Sequence, residues 1–157
     1  MIKAILATDD NNGIAKDGKI PWYSKEDFKF FKDTTIGSGR NVIVMGRKTQ
    51  KSLPRFPLPE RKNVVFTRRP VETYHVNNWR AVHQISEGCD DVFIIGGSDI
   101  YQQAFEHSIP EEIYISRIPG NYDCDQFIDM GLIQENYVLS ETTPFEEFSL
   151  EIWKRKD

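Results

Sequence analysis

The stretch VFIIGGSDIYQQAFE, from Val92 to Glu106, decides the fold. Val92–Ile95 is short, apolar and β-branched, which suits a buried strand. It enters the pair Gly96–Gly97, and Ser98–Glu106 leaves as a helix. The same grammar occurs at NVIVM, Asn41–Met45, a buried strand that ends at Gly46 and opens directly into a short helix over Arg47–Leu53. A third strand, NVVFT at Asn63–Thr67, ends in the basic turn Thr67-Arg68-Arg69 and is stopped by Pro70. Strands alternating with helices predict an α/β domain built on a mostly parallel sheet.

Outward from these junctions the chain is punctuated consistently. Ile2–Ala7 reads as a buried strand, followed by a long polar loop from Thr8 to Ser24. Loops of this length inside compact domains are uncommon and often functional. Ser24 suits an N-cap, with Asp27 at the capping-box position and Phe28, Phe30 and Phe31 on a helix that runs to about Thr35. Pro54, Pro57 and Pro59 stiffen the next loop. Tyr74–Val76 reads as a short strand, Val82–Glu87 as a short helix, and Glu112–Ile118 as an alternating strand. Tyr137–Glu141 and Phe148–Lys154 alternate like an antiparallel pair. The C-terminal third reads as free of helix, so an antiparallel edge makes the sheet mixed. No repeat or linker interrupts residues 1–157, which read as one domain.

Composition narrows the function. With 39% hydrophobic and 28% charged residues the chain has an ordinary globular balance. No apolar run approaches the roughly 18–20 residues of a membrane span. The apolar stretch Ala4–Ala7 is too short for a signal peptide and two aspartates soon follow it. The cytosol is the default location. A net charge of -4 gives no general attraction to nucleic acid, although a local basic pocket remains open. Cys89 and Cys124 form no CxxC motif and stand with no clustered histidines, so no metal site is expected and both are read as reduced thiols.

Ligands of parallel sheets bind at the carboxyl ends of strands. There Met45-Gly46-Arg47-Lys48-Thr49 and Ile95-Gly96-Gly97-Ser98 place glycines at helix starts, where free N–H groups and a partial positive charge suit phosphate. Arg47, Lys48, Arg68 and Arg69 add cations. Together these features point to a dinucleotide with an extra phosphate. Strand-to-helix punctuation and solvated surface charge are the plainer readings of the same residues, and no GxGxxG fingerprint is present.

A second group is Ile20-Pro21-Trp22 followed by Asp27, Phe28 and Phe31. Asp27 and Phe31 share a helical side at i,i+4 spacing. A carboxyl beside aromatic rings is desolvated, which raises its pKa, and it pairs well with an amidine-like edge carrying two N–H donors. The competing reading is that Asp27 only caps its helix.

In order and spacing, these residues resemble the dihydrofolate reductase family over almost the whole chain. The most specific pieces are Ile20-Pro21-Trp22 with Asp27-Phe28 and Phe31-Lys32, Met45–Thr49, Leu58-Pro59-Glu60-Arg61-Lys62-Asn63, and Ile94–Ser98 with Ile100-Tyr101. Ile113–Ile118 and Asp125-Gln126-Phe127 continue the match. The resemblance implies a mixed, mostly parallel eight-stranded sheet flanked by helices with an antiparallel C-terminal edge. It implies an NADPH-dependent oxidoreductase that reduces dihydrofolate to tetrahydrofolate for one-carbon metabolism, acting as a cytoplasmic monomer open to antifolate inhibitors.

The resemblance also assigns roles. Asp27 would bind the pterin, Ser116 would buttress it in place of a usual threonine, and Trp22 would hold a water. Ile5, Ala7 and Phe31 would line the ring, with Phe28 and Leu58 around the aminobenzoyl group. Arg61 would grip the glutamate carboxylate, assisted by Lys32. For the cofactor, Gly46, Arg47, Lys48 and Thr49 would meet the pyrophosphate and adenosine phosphate, and Thr67, Arg68 and Arg69 the 2′-phosphate. Ile95, the cis-linked pair Gly96–Gly97, Ser98, Asp99, Ile100 and Tyr101 would line the cofactor groove. Ala7, Ile14, Ala15 and Ile20 would flank the nicotinamide under a mobile lid formed by Thr8–Ser24.

Five features depart from the family pattern: Ala15, Arg55-Phe56, Ser98, Asp99 and Cys124. None removes an expected catalytic group. Two alternatives share parts of this description: a pyrimidine reductase of the riboflavin-pathway type, which would not need Trp22, Asp27 and Arg61 together, and a folate- or NADPH-binding structural protein.

Overall fold

The computed structural model describes all 157 residues. The chain runs β1 (Ile2–Thr8), β2 (Gly13–Ala15), α1 (Lys25–Ile36), β3 (Val42–Gly46), α2 (Arg47–Ser52), β4 (Lys62–Phe66), β5 (His75–Val76), α3 (Trp79–Ser86), β6 (Val92–Ile94), α4 (Ser98–Glu106), β7 (Glu112–Arg117), β8 (Gln126–Phe127), α5 (Met130–Asn136), β9 (Tyr137–Pro144) and β10 (Ser149–Arg155). Eight strands form one sheet in the order β5-β4-β3-β6-β1-β7-β10-β9. The pairs among β1, β3, β4, β5, β6 and β7 are parallel, whereas β10 runs antiparallel to β7 and β9. The mixed sheet and its antiparallel C-terminal edge match the expectation.

Parallel strands covered on both faces carry continuous apolar runs. In β3, Val42 and Val44 pack toward α3, α4 and α5, beside Val82, Ile100, Ala104 and Ile133. Ile43 and Met45 point the other way, toward Phe30 and Phe31 of α1. Strand β6 inserts between β3 and β1, so the chain reverses its direction of travel across the sheet there. The crevice at such a switch point is where open α/β sheets bind ligands.

Four expectations change. The C-terminal third is not free of helix: α5 begins at Asp129, whose side chain accepts from Leu132 N. Its seven residues bury Ile133 alone, which leaves almost no periodic signal in the sequence. Helix α3 starts at Trp79, ahead of Val82, because Asn78 caps it. The Thr8–Ser24 loop contains β2, which pairs with β8 in a separate two-stranded sheet. In α1 the buried residues are the polar Asp27 and Thr35, while Phe28 is 41% exposed. The aromatic side of this helix is therefore only partly closed over. No helix is long and apolar enough to cross a membrane.

Candidate active site

Three helices begin at side-chain caps: Ser24 for α1, Asn78 for α3 and Asp129 for α5. The other two, α2 and α4, begin at Gly46 and Gly97 with no side-chain cap. Their first N–H groups therefore lack the partner that a polar cap would supply. Both follow neighbouring parallel strands, β3 and β6, whose register aligns Val44 with Ile94. Gly46 N donates to Gly96 O at 2.8 Å and locks the two junctions together.

Side chains would crowd their neighbours at this junction. A β-carbon on Gly46 would lie 3.1 Å from Ile100 Cγ1, and one on Gly97 would lie 3.3 Å from Thr49 Oγ1. Gly96 has φ of +118°, a region that disfavours any other residue, and the Gly96–Gly97 peptide is cis. Arg47, Lys48, Arg68 and Arg69 are exposed around these strand ends. Thr67 is buried and its hydroxyl accepts from Arg69 N at 3.3 Å, shaping the basic turn. Ile95 and Ser98 are half-buried and Asp99 is exposed. Ile100 and Tyr101 lie in the core behind the glycines. Tyr101 stacks on Phe105 and donates its hydroxyl to Ile5 O at 2.8 Å, so it supports the glycine pair from beneath. Burial raises its phenol pKa well above the usual value.

Asp27 stands on the other side of β1. Ser24 caps α1 by accepting from Asp27 N at 3.1 Å, but the Asp27 carboxyl does not return the bond to Ser24 N. The capping reading of Asp27 therefore fails for its side chain. Asp27 is buried at 7% exposure, and no cation acts on its carboxyl. Burial raises its pKa above the ordinary carboxylate value, the Ser116 hydroxyl pulls it partway back, and the negative charge of Glu147 raises it further. Ser116 is paired in register with Ala7, and Tyr114 with Ile5. Strand β1 thus carries Ile5 and Ala7 between the glycine junction and the carboxyl. Trp22 is buried among Ile118, Phe148 and Leu150, and its Nε1 has no acceptor.

Arg61 marks the far end of this side. Its Nε donates to Pro59 O at 2.8 Å and its Nη1 to Thr35 Oγ1 at 3.0 Å. Asn63 fixes the preceding loop, accepting from Leu58 N at 2.8 Å and donating to Leu58 O and Arg61 O at 2.9 Å each. Phe31 and Leu58 pack on the same cluster, and Lys32 is exposed. The Thr8–Ser24 segment is anchored near its start and at its middle. Asp9 Oδ1 accepts from Asn11 N and Gly13 N, and Asp125 Oδ2 accepts from Asp17 N at 3.0 Å. Ile14 is buried, whereas Ile20 is 53% exposed and turned to solvent.

The dihydrofolate reductase family model matches residues 1–149. The chain belongs to the dihydrofolate reductase family. It is 35% identical over 147 residues to a bifunctional dihydrofolate reductase-thymidylate synthase of Daucus carota, covering 82% of this chain and 28% of that one. It thus spans little more than a quarter of that relative. To the dihydrofolate reductase of Bacillus subtilis (strain 168) it is 35% identical over 130 residues, covering 80% of this chain and 74% of that one. A structure of dihydrofolate reductase from Enterococcus faecalis complexed with NADP(H) and RAB-propyl superposes with a TM-score of 0.82 at 27% identity, covering 100% of this chain and 97% of that one.

Against the dihydrofolate reductase pattern, three departures fall on contacts of the lid region. Ala15 O accepts from Asp125 N at 2.9 Å, Cys124 Sγ donates to Asp9 Oδ2 at 3.5 Å, and Ser98 Oγ donates to Gln126 Oε1 at 3.5 Å. The sequence did not single out Asp9, Thr35, Asn63 or Glu147 as site residues. Thr35 and Glu147 act through hydrogen bonds to residues remote in the chain, and Asp9 and Asn63 by fixing the backbone of their own loops.

Proposed function

We propose that the chain reduces 7,8-dihydrofolate to 5,6,7,8-tetrahydrofolate with NADPH as hydride donor. The observation that carries this reading is the pairing of two uncapped glycine junctions with one buried, cation-free carboxyl, separated by Ile5 and Ala7 of β1. The relatives' printed names agree with it.

The residues fit a phosphorylated dinucleotide. The bare glycine backbones at Gly46, Gly96 and Gly97 admit a close approach to the uncapped starts of α2 and α4, Thr49 stands beside Gly97, and four exposed cations surround them. Arg68 and Arg69 at the end of β4 suit an extra 2′-phosphate and so favour NADPH over NADH. When bound, NADPH supplies the hydride that reaches C6 of the pterin.

On the pterin side, Asp27 accepts from the 2-amino group and N3, with Ser116 orienting its carboxyl. Holding this charge in a buried site polarises the ring toward protonation at N5. Trp22 Nε1, a buried donor without an acceptor, orients solvent that carries the N5 proton. Ile5, Ala7 and Phe31 place the ring, Phe28 and Leu58 hold the aminobenzoyl group, and Arg61 with Lys32 binds the glutamate tail. Ile14 and Ile20 close over the nicotinamide when the lid moves inward. The protein's contribution is orientation and electrostatics.

We read residues 1–157 as a single domain acting as a cytoplasmic monomer, with antifolates as competitive ligands. Light scattering on the purified chain tests the monomer.

The activity test follows the nicotinamide absorbance on mixing NADPH and dihydrofolate. Rapid loss of signal is expected. Asp27→Asn should cut turnover roughly 100-fold or more at pH 7 and recover partly in acid, where the substrate arrives protonated. No oxidation of NADPH by the wild-type chain overturns the function. Near-normal neutral turnover of the Asn variant overturns the role of Asp27.

A further inference from the structure

The turn between β9 and β10 reaches across the molecule to the first turn of α1. Ser24 Oγ donates to Glu147 Oε1 at 2.9 Å while accepting from Asp27 N. Glu26 N donates to the same Glu147 oxygen at 2.9 Å, and Glu147 N donates to Glu26 Oε1 at 2.8 Å. The two glutamates thus bind each other's backbones. The residues flanking Glu147 reinforce the contact. Phe145 and Phe148 stack at 4.4 Å, and both rings pack on Phe30 of α1. Phe145 N donates to Phe148 O at 2.8 Å, closing the turn.

Ser24 is 3% exposed, so its hydroxyl needs a partner. A helix N-terminus normally takes its acceptors from its own cap and first turn. Here a residue more than a hundred positions away supplies one. The acceptor is a carboxylate, which complements the partial positive charge of the N-terminus but adds negative charge close to the buried carboxyl of Asp27.

We propose that Glu147 is a positioning residue for the pterin pocket, clamping the first turn of α1 so that the Asp27 carboxyl is held toward Ser116. The inference rests on the reading of Asp27 as the pterin-binding carboxylate. The charged groups around the clamp are Lys25, Glu26 and Lys29 of α1, with Glu146 and Glu147 of the turn. Ser116 of β7 and Glu147 are the groups that act on Asp27 itself, and Glu147 adds to the upward shift that burial imposes.

Two variants separate geometry from charge. Glu147→Gln keeps an oxygen that accepts from Ser24 and Glu26 but removes the charge. Glu147→Ala removes both. The readouts are the pH titration of the Asp27 carboxyl by 13C NMR and the steady-state constants for dihydrofolate and NADPH. In Glu147→Gln the Asp27 midpoint should fall with the KM for dihydrofolate within about twofold of wild type. In Glu147→Ala the KM for dihydrofolate should rise roughly tenfold while the KM for NADPH stays put. A KM for dihydrofolate that is unchanged in a folded Ala variant, or that rises as far in the Gln variant, overturns the inference. If the Ala variant fails to fold, Glu147→Asp, which keeps the charge but shortens the reach to Ser24 and Glu26, decides by the same constant. If the wild-type chain does not turn over dihydrofolate, the proposed function fails, and the dissociation constant of dihydrofolate for the same variants still decides the clamp.

Discussion

Gly13 lies so close against Cys124 that a β-carbon on the glycine would fall 2.4 Å from Cys124 Cβ and 2.6 Å from its Sγ. This contact joins the lid to the loop before β8. Gly13→Ala should therefore push the two segments apart, costing about 1–3 kcal/mol in unfolding free energy and weakening NADPH binding. Cys124→Gly removes both clashing atoms. In that background the alanine should cost much less, leaving mainly its approach to Asp9 Oδ1 at 3.0 Å. Urea titrations of the four chains give the coupling, and additive costs would show that the clash is relieved elsewhere.

Asp9 is the fixed point of the same lid. It is 1% exposed, and its oxygens accept from Asn11 N, Gly13 N, Tyr122 N and Cys124 Sγ. Burial pushes its pKa up, but the backbone donors of Tyr122, Gly13 and Asn11 outweigh this and hold it below the ordinary value. Asp9→Asn must aim an NH2 group at donors, and should cost about 1–3 kcal/mol at neutral pH. Because the folded pKa is lowered, the wild-type advantage is present above the ordinary carboxylate value of about 3.9 and fades as pH falls through the folded pKa. Paired denaturation curves from pH 7 down to pH 3 check both the size and the fade. The charge on Asp9 also holds the Cys124 thiol high, after burial itself, so thiol reagents should label Cys124 slowly at pH 7.

Arg61 has already engaged its Nε with Pro59 O and its Nη1 with Thr35 Oγ1, which fixes the direction of the guanidinium. Arg61→Lys keeps the charge but cannot hold these two acceptors and a carboxylate together. The KM for dihydrofolate should rise about tenfold or more with kcat nearly unchanged, since the glutamate tail is bound equally in ground and transition states. A truncated pterin substrate lacking glutamate should show no difference between the two proteins. Sensitivity of that truncated substrate to the change would place Arg61 elsewhere.

The sheet was legible because its parallel strands are buried on both faces and therefore apolar without interruption, as at Val42–Met45 and Val92–Ile94. The glycine junctions were legible for a related reason. Their backbone must stay bare, and only glycine leaves it so. Short elements left weaker traces: α5 rests on one buried residue, and β2 and β8 have three and two residues each. Ile20 shows another limit, because it faces solvent in this fold, which carries no mark of the nicotinamide contact proposed for it. Asp27 could be singled out, yet its freedom from capping could not. That depends on where the buried carboxyl points in the fold, which the spacing of Ser24 and Asp27 does not record.

That freedom has a cost in stability. A carboxyl whose folded pKa is raised binds its proton more tightly in the folded chain than in the unfolded one. Below the ordinary aspartate value of about 3.9 both states are protonated and there is no penalty. As pH rises past it, the unfolded chain ionises first, and the folded state loses stability until its own raised pKa is passed. Asp27→Asn removes the titration and keeps nearly the same shape. The variant should therefore gain on wild type as pH rises from 3 to 7, ending the more stable protein while being the less active enzyme. Unfolding curves for both proteins across this range measure the difference directly. A wild-type chain that gains on the Asn variant over the same range would mean that the carboxylate is favourably solvated in the fold, and that Ser116 or bound solvent outweighs burial at this site.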